Sequence, residues 1–170
     1  SYNPWSSLYW LVSGKTVVLK EGDLAGARSW FDKARATMHP KEGAFSPMPA
    51  SDGGAMFAVL DLDIKLAPGQ PKEVVQQALK DAAEAASRYP LSRALARQYA
   101  DAMISAGKPD EATRYLRDQV QLYREDAKLY DLLARAYSNQ GKIALQHMAL
   151  AESYVLQGAT MAALTDDLLV

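Results

Sequence analysis

The dipeptide Gly-Lys occurs three times, and at 107–108 and 141–142 it follows a stretch rich in Ala, Leu and Tyr. A spacing of about 34 residues points to repeated helix–turn–helix units, because two short antiparallel helices and their turns use that much chain. With Gly107 at position 15, a unit of this length begins at Arg93 and places Ala96, Tyr99, Ala100 and Met103 at positions 4, 7, 8 and 11, with Ala112 at 20 and Leu116 at 24. The next unit begins at Ala127 and places Tyr130, Leu133, Ala134 and Tyr137 at the same early positions, followed by Gly141. Those four positions share one face of a 3.6-residue helix. Small residues at 8 and 20 let the paired helices approach closely. A glycine between them suits the left-handed conformation that ends a helix.

This is the tetratricopeptide pattern, and it predicts an all-α fold of helix-turn-helix repeats stacked as an α-solenoid. The whole chain, 1–170, is predicted to form a single repeat domain with helix pairs at 4–37, 54–88, 91–123 and 127–157 and a terminal helix at 159–169. Upstream, Gly22, Ala27, Phe31 and Ala34 follow the pattern, and Asp23 is placed to cap a helix. Downstream, Tyr154 and Gly158 extend it, with Gly158 only half a repeat beyond Gly141. The stretch 38–53, with Pro40, Pro47, Pro49 and Gly43, reads as a long loop: a contact element, or an insertion that a solenoid tolerates. Trp5, Tyr9 and Trp10 read as the core of a first repeat, or as an exposed aromatic patch or groove lip. Opening at Ser1 and closing on Asp166-Asp167-Leu168-Leu169-Val170, the chain reads as a fragment of a longer protein.

Composition narrows the function classes. Nineteen basic against 20 acidic residues leave no electrostatic footprint for nucleic acid or an anionic membrane. Without cysteine there is no thiolate nucleophile, disulfide or zinc–thiolate site. No apolar run reaches the roughly 20 residues of a membrane-spanning helix. The two histidines, His39 and His147, fit no metal-ligand spacing: His147 falls on a packing position, and His39 precedes Pro40 at a helix end. Asp61 and Asp63, two positions apart on a helix, point in nearly opposite directions and make no carboxylate pair. Glycine-rich phosphate loops and a nucleophile elbow are absent from the sequence. The expectation is a non-catalytic chain with no cofactor of its own.

Four strings carry a more specific resemblance: Tyr-Pro-Leu-Ser-Arg-Ala-Leu-Ala-Arg-Gln-Tyr-Ala-Asp-Ala (89–102), Ala-Gly-Lys-Pro-Asp-Glu-Ala (106–112), Leu-Tyr-Asp-Leu-Leu-Ala-Arg-Ala-Tyr-Ser-Asn-Gln-Gly-Lys (129–142) and His-Met-Ala-Leu-Ala-Glu-Ser-Tyr-Val-Leu-Gln-Gly (147–158). Together they resemble the C-terminal repeat region of the BepA-like periplasmic zinc metalloproteases, which enhance outer-membrane assembly. The resemblance covers the chain from Tyr89 to Ala163 and is generic before it. It implies a periplasmic location and contact with the barrel-assembly machinery and its outer-membrane substrates. It also implies a zinc protease domain in a parent protein, whose His-Glu-x-x-His motif has no counterpart here. The chain departs from the family pattern at Arg124, where the repeat carries proline, and at Gln146 and Ser153, where it carries small residues.

In a repeat stack, positions 2, 5, 9, 12 and 13 of each first helix line the inner surface. Here these include Arg97, Asp101, Ile104, Lys128, Asp131, Arg135 and Asn139, a polar face of mixed charge suited to hydrogen-bonding a peptide. The same residues also read as a solvated face. The functional expectation is a protein-binding scaffold attached to a periplasmic protease, with a free-standing repeat adaptor or chaperone as the alternative. A helical enzyme would need an acid–base constellation that these residues do not supply.

Overall fold

The computed structural model describes residues 23–38 and 50–167, with side chains placed for 23–35 and 54–159. Seven helices are found among the described residues, and no strand: α1 (Leu24–Met38), α2 (Ala50–Lys65), α3 (Lys72–Arg88), α4 (Arg93–Ser105), α5 (Pro109–Leu122), α6 (Ala127–Asn139) and α7 (Ile143–Asp167). The protein is therefore all-α over this range. The predicted helix before Gly22, Trp5, Tyr9, Trp10, His39, most of the 38–53 loop and the last three residues lie outside it. The second helix begins at Ala50, ahead of the predicted start at 54. Two compact units are distinguished along the chain, Ser1–Gln98 and Tyr99–Val170. The division falls inside α4, so no linker or shift in composition marks it in the sequence.

In the first unit α1 packs on α2, and α2 on α3. Asp23 caps α1 as expected, its carboxylate accepting from the Gly26 amide at 2.9 Å. A methyl group at Gly26 would overlap that carboxylate, so the glycine makes room for the cap. Ala27, Phe31 and Ala34 repeat at four- and three-residue steps and form one core with Leu60 and Ile64, against which Phe57 packs. The Phe31 and Phe57 rings meet edge to face with centroids 5.8 Å apart. Gln70 ends α2 by donating its amide to the Ile64 carbonyl at 2.8 Å, and Gly69 turns the chain with φ 85°. From α3 come Ala78, Ala82 and Ala85, a stripe of small side chains along the buried face.

A polar chain crosses this unit. Arg28 of α1 bonds Asp61 of α2 at 2.7 Å, Lys65 pairs with Asp61, and Lys65 reaches Asp81 of α3 at 2.6 Å. Gln77 donates to the other Asp81 oxygen at 2.8 Å. Asp63 points away from this chain and accepts from Gln98 of α4 at 2.6 Å, as the two-residue spacing requires. Burial pulls the Lys65 ammonium toward neutrality, but its hydrogen bonds and the charges of Asp61 and Asp81 outweigh this, so its pKa is raised. For Asp81, burial pushes upward, while bonds from Lys65 and Gln77 and the nearby lysine charges bring the pKa below the usual carboxylate value.

The second unit shows why the glycine period matters. Gly107 and Gly141 have φ of 77° and 70°. Each closes its helix with the same two hydrogen bonds: Gly107 N to Ile104 O and Lys108 N to Met103 O, then Gly141 N to Ser138 O and Lys142 N to Tyr137 O. Pro109 occupies the first turn of α5, with Asp110 and Glu111 beside it to favour the positive end of the helix dipole. Asp126, buried, caps α6 by accepting from the Lys128 amide at 3.2 Å. α5 packs on α6 and α6 on α7. The core contains Ala100, Met103, Ala112, Leu116, Leu133, Ala134 and Tyr137, all predicted, together with Ala102, Leu129, Ala136 and Val120. Tyr99 and Tyr130 are half-buried, and Tyr99 meets Tyr115 edge to face at 5.0 Å.

Beyond Gly141 the predicted register fails. α7 is one helix running through Gly158, which does not take positive φ. A mid-helix glycine costs only about 1 kcal/mol, and the good helix formers on either side supply more than that. Ala149 and Ser153 are the buried positions, Ser153 fully so. Tyr154 is 67% exposed, and His147 and Gly158 are exposed too. The packed face is thus turned about 100° from the predicted one, a single step along the helix. The departure noted at Ser153 is in effect the small residue that the helix crossing uses.

Candidate partner-binding surface

The predicted groove residues divide between the two units. Arg97 belongs to the first and is half-buried. In the second, Asp101 projects from α4, and Lys128, Asp131, Arg135 and Asn139 lie on one face of α6 at steps of three and four residues. Arg135 Nη2 donates to Asp101 Oδ1, so the two helices are tied by an ion pair at equivalent repeat positions. Ser105 Oγ approaches the same Asp101 oxygen at 3.4 Å. Lys128, Asp131 and Asn139 are exposed, and their side chains form no hydrogen bond or ion pair with other described residues. They can therefore hydrogen-bond a partner without first breaking an internal contact. Ile104 corrects the prediction. It is 5% exposed and counts with Met103 among the buried apolar residues, as its apolar side chain favours.

Sequence reasoning missed a second surface. Two adjoining open hollows lie along α5 and α6 and share Arg114 and Arg117. One, of about 580 Å³, has Val120, Leu133 and Tyr137 in its lining. The other, of about 410 Å³, is lined by Asp110, Thr113, Gln140 and Lys142. Gln140 donates to Pro109 O at 2.9 Å and to Thr113 Oγ1 at 2.8 Å, while its own carbonyl oxygen is buried and accepts no hydrogen bond from the described residues. The three-residue spacing of Arg114 and Arg117 was the available signal, and it is indistinguishable from an ordinary solvated helix face.

The Tyr115 hydroxyl has its pKa pushed up to about 12, first by burial and then by the neighbouring Tyr99 and Tyr123 hydroxyls. That makes it a poor proton donor or acceptor near neutrality. Among the described residues no three His, Asp or Glu side chains converge as a metal site, and no helix is long and apolar enough to cross a membrane. What the surface offers chemically is hydrogen-bonding and charge contact from side chains held on paired helices. Comparison with known proteins finds no matching protein family and no curated protein of similar sequence.

Proposed function

We propose that the chain is a non-catalytic protein-binding scaffold of tetratricopeptide type, using the face of Asp101, Lys128, Asp131, Arg135 and Asn139 to hold a peptide segment. The observation that carries this reading is the recurrence of backbone detail at the repeat period. The paired glycine caps at 107 and 141 are one instance. The ends of α3 and α5 are another: Tyr89 (φ −126°, ψ 66°) and Tyr123 (φ −123°, ψ 67°) adopt the same conformation. Their carbonyls accept from Ser92 N at 3.0 Å and Asp126 N at 3.1 Å respectively. Repeated helix pairs of this kind serve in general as extended binding surfaces.

The sequence resemblance makes the proposal more specific. The scaffold would work in the periplasm as the repeat region of a zinc metalloprotease, receiving outer-membrane barrel substrates or the machinery that assembles them. Zinc would belong to the parent's protease domain. The test is site-specific photocrosslinking in a cell that assembles outer-membrane barrels, with the crosslinker placed in turn at Lys128, Asp131 and Asn139 and, as a control, at Glu84 on α3. Adducts with outer-membrane or assembly proteins from the three α6 sites and not from Glu84 are expected. Equal yields from the control, or adducts confined to unrelated proteins, would refute this surface.

A further inference from the structure

From Ile143 to Thr165 the sequence of α7 contains a single charged residue, Glu152. One side of this helix packs on α6 through Ala149 and Ser153. On the opposite side Met148 and Val155 are 65% and 66% exposed. Ala144, Met148, Ala151, Val155 and Gly158 follow one another at steps of four, three, four and three, and all five are exposed. That spacing is the seam of a two-helix coiled coil. Large residues alternate along it with small ones: Ala144, Ala151 and Gly158 recur at the heptad interval, with Met148 and Val155 between them.

We infer that this face pairs with the same face of a second copy of the chain, the two α7 helices running antiparallel. A parallel pair would set Met148 on Met148 and Ala151 on Ala151, crowding one layer and leaving the next empty. Reversal sets each large residue over a small one: Met148 on Ala151 of the second copy, and Val155 on Ala144. Charge then chooses the register. A shift of one heptad brings Glu152 against its own counterpart, where like charges repel. The register centred between Ala149 and Leu150 places Glu152 beside Leu145 and Tyr154 beside His147 of the other copy. The exposed parts of Met148, Tyr154 and Val155 amount to roughly 400 Å² per copy, half of the ~800 Å² that a stable partner usually contributes. The dimer is accordingly reversible and concentration-dependent. It uses a face distinct from the peptide surface on α4 and α6, so it can fail without that surface failing.

The chain has no cysteine, so introduced thiols report contacts cleanly. Val155→Cys and Ala144→Cys proteins, mixed and oxidised, should form a disulfide-linked pair in high yield. Either variant alone should not, because the two copies of each residue lie about 16 Å apart along the axis. Sedimentation velocity of the unmodified chain should show mass rising from one copy to two with concentration, and Met148→Glu should hold it at one copy with the helical circular dichroism unchanged. A chain that stays at one copy up to its solubility limit overturns the inference. So does crosslinking of Val155→Cys with itself as efficient as in the mixture, which indicates a parallel or shifted pairing.

Discussion

Gly107 and Gly141, one repeat apart, end α4 and α6 in the same left-handed conformation, with φ of 77° and 70°. Neither has an atom within 4 Å of where a β-carbon would stand, so space does not require glycine at either site; the backbone does. Substitution by alanine should cost about 1 kcal/mol at each, the strain of an L-residue at positive φ. Gly158 is a useful control, being helical and equally unobstructed. Gly158→Ala should stabilise by up to about 1 kcal/mol. Urea denaturation of the three variants should therefore give opposite signs for chemically identical changes.

The Asp101–Arg135 pair ties α4 to α6 at the surface, with both side chains partly in water. Asp101→Ala or Arg135→Ala should lower stability by about 0.2–1 kcal/mol, less at high salt, since exposed pairs contribute little. The exchange Asp101→Arg with Arg135→Asp should recover most of the loss. Partner crosslinking from Asn139 should not recover with it if the bound peptide reads the polarity of these charges. Stability and binding thus separate in one set of four proteins.

How much of this was legible in the sequence depended on whether a residue's neighbours differ from it in polarity. In α4 and α6, apolar and charged residues alternate at helical spacing, and the glycine period fixes the register. The buried Ala100, Met103, Leu133, Ala134 and Tyr137 are accordingly where the pattern puts them. In α7 nearly every face is apolar, so periodicity selects none. Extending the repeat pattern placed Tyr154 inside, where Ser153 is instead. Repeat position alone sets Ile104 on the surface, although its own apolar chemistry favours burial, where the structure has it. The Arg28–Asp61–Lys65–Asp81 chain was illegible for another reason: it joins three helices, and only the separation of Asp61 from Asp63 could be seen locally.

That chain has a pH signature. Asp81 is held below its ordinary pKa, so its stabilisation is complete above the unfolded carboxylate value near 3.9 and is lost as pH falls through the folded one. Lys65 is held above its ordinary pKa, so its contribution is complete below the unfolded value near 10.4 and is lost as pH rises through the folded one. Lys65→Met removes the lysine's own effect and the part of the Asp81 effect that comes from Lys65, leaving the parts from Gln77 and Lys80. The stability difference between the native chain and this variant should be flat between about pH 5 and 9 and shrink at both extremes. Denaturant midpoints across that range test it, and a difference that grows toward acid would contradict the pairing.

Gly54 and Tyr89 make a contact that glycine alone permits. A β-carbon at Gly54 would overlap the Tyr89 hydroxyl oxygen and stand 3.1 Å from the ring carbon that bears it. The Tyr89 backbone is fixed, its amide closing α3 on the Ala85 carbonyl at 2.9 Å and its carbonyl accepting from Ser92 at 3.0 Å, so the overlap is relieved only by turning the half-buried ring and its hydroxyl off their present rotamer. Gly54→Ala should therefore destabilise by about 1–3 kcal/mol through overpacking, although alanine is the better helix former. Removing the hydroxyl should reverse the sign. In a Tyr89→Phe background the added methyl meets only the ring edge, and the helix propensity of alanine should then show as a gain of up to about 1 kcal/mol. Thermal melts of the four combinations measure this coupling directly. A Gly54→Ala loss that persists unchanged without the hydroxyl would mean that the backbone of α2, not the tyrosine, requires the glycine.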